Sequence, residues 1–86
     1  MRRMKKVKPG DAVIINGVKY RIGESSARAI NACIDLLEAH HMAMGAVNER
    51  GATIDLYNAD GQGGKSFPPS KILEALKRAE QNKTPQ

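Results

Sequence analysis

Apolar and polar residues alternate from Val18 to Ile22, and Asp11 with the apolar run Ala12–Ile15 precedes the Asn16-Gly17 pair. Asn-Gly is the favoured pair for a two-residue type I′ hairpin, because both central residues need positive φ. That turn fixes a register in which Ile15 opposes Val18, Ile14 opposes Lys19, Val13 opposes Tyr20 and Ala12 opposes Arg21. Opposed residues share a face. Val13, Ile15, Val18, Tyr20 and Ile22 are therefore expected to face the core, and Ala12, Ile14, Lys19 and Arg21 the other side.

The period then changes. After Gly23, with Ser25 or Ser26 as N-cap, Ile30, Ile34, Leu37, His41 and Met44 recur at spacings of four and three, widened by Cys33 and Leu36. This predicts one long helix that stops at Gly45 or frays to Val47. Residues 52–57 alternate again, placing Ile54 and Leu56 on one face and Thr53, Asp55 and Tyr57 on the other. Residues 58–64 are turn-rich. Lys65-Ser66-Phe67 reads as a short returning strand, so 52–67 is a second hairpin. Pro68-Pro69-Ser70 opens a final amphipathic helix, where proline is tolerated in the first turn. Its inner face is expected to carry Ile72, Leu73, Leu76 and Ala79.

The predicted order is hairpin, helix, hairpin, helix. It describes a small single α+β domain over residues 11–81, with an antiparallel sheet of two hairpins and helices on one face. Residues 1–10 read as a flexible basic arm closed by the turn pair Pro9-Gly10, and 82–86 as a disordered tail. The run from Val7-Lys-Pro-Gly-Asp-Ala-Val through Asn-Gly-Val-Lys-Tyr-Arg-Ile22 resembles the opening of small SH3-like barrels. It covers about a fifth of the chain, and the helix after it departs from that pattern.

Charge sharpens the picture. The first 28 residues carry eight Lys or Arg against two acids, and the rest carry six against seven, so a net +5 is +6 at one end and −1 elsewhere. Charge concentrated in this way suggests an anionic surface to meet. The candidate contact residues are Arg2, Arg3, Lys5, Lys6 and Lys8 of the arm, Lys19 and Arg21 on the outer hairpin face, and Arg28 in the first helical turn. Gathered on one side, such cations bind a phosphate backbone, with affinity that falls steeply in salt. A two-stranded ribbon can also enter a major groove. Against this, stacking aromatics are nearly absent from the basic segment, and a merely solubilising arm has the same composition.

No set of residues completes a reaction. Residues 59–66, Ala-Asp-Gly-Gln-Gly-Gly-Lys-Ser, match the loose phosphate-loop pattern, yet that loop must lead directly into a helix. Phe67-Pro68 forbids one, since Pro68 restricts Phe67 away from helical ψ, so the segment reads as a mobile turn. His40-His41 with Cys33 would make a poor one-helix metal site, and no cofactor is expected. Cys33, predicted mid-helix, is expected to be buried and inert. Asp35 and Glu38 read as a solvated surface pair.

The single cysteine excludes an intrachain disulfide and fits a reducing compartment. No apolar run approaches the ~20 residues that span a bilayer, so a cytoplasmic protein without membrane contact is expected. The leading expectation is a non-enzymatic protein that engages nucleic acid, or a nucleic-acid-handling complex, through the basic arm and first hairpin. The alternative is a small interaction or inhibitor protein, of the phage-type or accessory-regulator kind, docking on a partner protein. Leu36, Met42 and Ile14 are the apolar positions expected to remain uncovered and to support a homodimer.

Overall fold

Asn16 and Gly17 take φ of 54° and 81°, the type I′ turn, and the β1 (Ala12–Ile15) and β2 (Val18–Arg21) strands pair in the expected register throughout. The computed structural model describes residues 4–50 and 53–82. The remaining elements are α1 (Glu24–Glu38), α2 (Met44–Arg50), β3 (Ile54–Asn58), β4 (Gly64–Phe67) and α3 (Pro69–Asn82). The strands form one antiparallel sheet in the order β1-β2-β3-β4. Helices back one face of this open sheet, so the α+β architecture stands and the barrel does not. Ala52 of the second hairpin and tail residues 83–86 lie outside the described residues; Asn82 ends α3.

One hydrophobic cluster joins the layers. The sheet contributes Val13, Ile15, Tyr20, Ile54 and Leu56, α1 contributes Ala27, Ile30, Cys33 and Ile34, and α2 and α3 contribute Val47, Ile72, Leu73 and Ala75. Tyr20 meets Phe67 edge to face, with ring centroids 5.2 Å apart. Each fully buried aliphatic side chain contributes about 1.5–3 kcal/mol. Val18 departs from expectation: it sits at the turn end of the inner face and is 48% exposed. In α3, Ala75 is buried in place of Ala79, which faces solvent.

The long helix divides. Carried on to Val47, it would run to about 36 Å at 1.5 Å per residue, far longer than strands of four or five residues. Instead α1 ends at Glu38 with Ala39 as its C-cap, and His41 adopts φ 53°. The Met42 N–H then returns to the Leu36 carbonyl (2.9 Å). The reversal restarts the helix as α2 and puts Val47 in the core, fully buried. His41 is thus exposed rather than part of an apolar stripe, and Gly45 lies inside a helix rather than ending one. Leu36 and Met42 pack against the core, while Ile14 stands on the far side of the sheet, so the three do not form one patch.

The N-cap also differs. Gly23 occupies it without a side-chain bond, while the buried Ser26 hydroxyl donates to the Asp55 carbonyl (2.6 Å), tying α1 to β3. Asn48 of α2 caps α3 from outside. Its Oδ1 accepts from the Ser70 N–H, and its Nδ2 donates to Ser70 Oγ, both at 2.7 Å.

The basic arm is corrected over its described part. Residues 4–8 form a strap along α1, with Met4 and Val7 buried in the core. The Asn31 amide mimics a strand partner: Oδ1 accepts from the Val7 N–H (2.7 Å) and Nδ2 donates to the Val7 carbonyl (3.0 Å). Glu38 accepts from the Met4 N–H (2.7 Å), and Glu80 from the Lys5 N–H (3.2 Å). Asp35 and Glu38 are therefore the strap's anchors, not an idle surface pair. The strap enters β1 through a turn in which the Asp11 N–H bonds the Lys8 carbonyl (3.0 Å). Gly10, at φ 91°, supplies the left-handed residue that this Pro-Gly turn requires.

Asn31→Ala strands both Val7 backbone groups in a partly buried site, and stability should fall by about 2 kcal/mol. Chemical denaturation reads this directly, and an unchanged midpoint would show that the strap contributes nothing.

Candidate nucleic-acid interface

Helices cover the inner face of the sheet only; the outer face is open. By register it carries Ala12 and Ile14 from β1, Lys19 and Arg21 from β2, Asp55 and Tyr57 from β3, and Gly64 and Ser66 from β4. A half-solvated antiparallel sheet tolerates such a polar face.

Arg21 pairs directly with Tyr57 across β2 and β3. Opposed side chains on one face start about 4.5–5.5 Å apart at Cβ, so Arg21 and Tyr57 leave the sheet from neighbouring positions on the open face. Tyr57 is 55% exposed. Its ring rests against Gly23, where a Cβ would sit 2.6 Å from ring carbon Cε2, so glycine makes the seat for this ring. Arg21 Nη1 donates to the Gly10 carbonyl (3.2 Å), which steadies the guanidinium while leaving its other N–H groups for a ligand. Lys19, also exposed, extends the cationic edge toward the hairpin turn beside Ile14, itself 61% exposed.

The other expected contact residues sit elsewhere. Lys8 is exposed at the start of the Pro9-Gly10 turn, at the margin of the open face. Lys5 is exposed on the strap, in the helix layer. Lys6 lies there too, its ammonium held by the Asp35 carboxylate and the Asn31 carbonyl. Arg28 pairs with Glu24 one turn away on α1 (3.3 Å). Arg2 and Arg3 lie outside the described residues. The expected single basic side is thus divided between two layers, with part of its charge offset by acids on α1.

Sequence reading missed Tyr57. Alternation placed it on the same face as Asp55, but nothing local says that β3 lies beside β2. The cue was the exposed-face position of one of only three aromatics in the chain.

The remaining chemistry is thin. Lys65 and Ser66 fall within β4, so no helix N-terminus meets residues 59–64. That loop is knit by its own bonds: Asn58 N–H to the Gly63 carbonyl (3.0 Å), Gly61 N–H to the Asn58 carbonyl (2.9 Å), and Asn58 Nδ2 to the Gln62 carbonyl (2.7 Å). A loop bonded in this way is an ordered hairpin end, not a free turn. Burial pushes the Cys33 thiol above its ordinary pKa, which keeps it protonated and unreactive at neutral pH. Among the described residues, no three His, Cys, Asp or Glu side chains gather as a metal site. Among them, too, no helix is long and apolar enough to cross a membrane. Comparison of the chain with protein-family models, curated proteins and solved structures finds no match.

Proposed function

We propose that this is a non-enzymatic protein that binds nucleic acid, taking a single strand across the open face of its sheet. The observation that carries the reading is the Arg21–Tyr57 pair, an exposed aromatic and a cation at opposed positions on adjacent strands of the open face, with Lys19 two residues before Arg21 on β2. Single strands are held by this combination: bases stack on aromatic faces while cations follow the phosphates. A duplex hides its base faces, so an exposed ring on an open sheet face favours the unpaired form.

The test is fluorescence anisotropy with labelled single-stranded and duplex oligonucleotides across a salt series. The wild type is expected to prefer the single strand, with log affinity falling by about 0.7 per log unit of salt for each phosphate engaged. Stacking one base on a ring is worth about 1–3 kcal/mol. Tyr57→Ala should therefore weaken single-strand binding by about tenfold, since 1.4 kcal/mol is a factor of ten. Silence toward every strand at low salt sinks this reading. The same face would then pass to a protein partner, for which the exposed Ile14 is suited.

A further inference from the structure

A carboxylate stands on this otherwise cationic face. Asp55 lies two residues from Tyr57 on β3, on the same side of the sheet, about 6.6 Å along the strand. Near a phosphate chain its charge is unfavourable unless a ligand donates hydrogen bonds to it. Ser66, directly across on β4, donates its hydroxyl to Asp55 Oδ1, which fixes the carboxylate's orientation. Among the described residues, no protein group donates to Oδ2.

Beside this carboxylate lies an open hollow of about 390 Å³ along β3 and β4, lined by Asp55, Tyr57, Gly64, Lys65 and Ser66 and by the loop glycines Gly61 and Gly63. The volume falls in the range of small-molecule seats, roughly 300–1,000 Å³. Gly64 leaves this surface without a side chain, and the Tyr57 ring rests on Gly23. A base stacked at Tyr57 can therefore lie over backbone with its edge toward Asp55.

We infer that this hollow is a base-reading seat selective for guanine, an inference that rests on the single-strand reading above. A carboxylate accepts two hydrogen bonds in parallel. Guanine alone presents two adjacent donors on its pairing edge, N1–H and the N2 amino group. Adenine and cytosine set an acceptor beside their amino group, and uracil flanks its one N–H with two carbonyls. Each of these places a lone pair against a carboxylate oxygen, which repels.

The experiment compares a nine-residue oligouridylate with the same strand carrying one central guanosine, a design that avoids guanine self-assembly. The wild type is expected to bind the guanosine strand about tenfold tighter, within the discrimination of one good bidentate base pairing. Asp55→Ala and Asp55→Asn should erase that preference and bind the oligouridylate slightly tighter, because a repelling charge is gone. Equal wild-type affinity for the two strands overturns the selectivity while leaving the stacking face intact. A preference that survives both substitutions removes Asp55 from base reading. Failure to bind either strand overturns the single-strand reading and this inference with it.

Discussion

Replacing Lys19 and Arg21 together by glutamate should lower single-strand affinity at least a hundredfold at low salt, with little change in thermal stability. Hydrogen bonds to charged groups contribute about 1.5–3 kcal/mol each, so removing two of them amounts to about 3 kcal/mol, or two decades in affinity. Reversing the sign adds repulsion beside Asp55. Both residues sit on a paired strand, so their backbone is already ordered and spends little conformational entropy on binding. Anisotropy should also show a flatter salt dependence, by about 0.7 for each phosphate of a single strand that is no longer neutralised. The fold should persist, because both residues are exposed and only the Arg21 bond to the Gly10 carbonyl is given up. Neutralising Lys5 and Lys6 should do less, since Lys6 is engaged by Asp35 in the helix layer. If the double variant keeps wild-type affinity and slope, Lys19 and Arg21 are a solvated face and nothing more.

Gly64→Ala should be the most damaging single methyl in the molecule. A Cβ at Gly64 would stand 1.9 Å from the Leu56 carbonyl oxygen and 3.1 Å from Tyr57 Cα, and main chain cannot rotate aside as a flexible side chain does. The β3–β4 pairing must open at Tyr57–Gly64 to admit it. Overpacking costs typically 1–3 kcal/mol and occasionally more; with the clash on backbone, about 3 kcal/mol is expected. In a domain of this size each kcal/mol lowers the melting temperature by roughly 4–8 °C, so a drop on the order of 15 °C should appear in a thermal melt. Gly45→Ala is the control. It lies in α2 with nothing within 4 Å of an added Cβ, and alanine there should stabilise by up to about 1 kcal/mol. Equal melting temperatures for wild type and Gly64→Ala would mean that β4 is not paired with β3 as described.

What was legible in the sequence was local. Asn16-Gly17 demands positive φ at two successive residues, which few other pairs accept, so the turn sets the whole first register with no help from distant residues. Pro9-Gly10 marks the turn into β1 for the same reason, and Pro68-Pro69 marks the start of α3 because proline suits only a first turn. The outward position of Lys19 and Arg21 follows from the register alone.

What the tertiary structure decided was everything that depends on which elements become neighbours. The helical period ran unbroken through His41, yet the chain reverses there, because a continuous helix overruns short strands and would leave Val47 uncovered. Lys5, Lys6 and Lys8 read as part of a solvated arm by composition, while Met4 and Val7 bury their side chains and Asn31 receives the strap's backbone. Arg21 and Tyr57 are 36 positions apart and become neighbours on the open face only because β3 pairs with β2. Turn chemistry acts through a residue's own φ and ψ and is therefore written in the sequence. Strand neighbours, strap docking and the joining of Arg21, Tyr57 and Asp55 on one face depend on long-range burial, which settles their positions only once the core has closed.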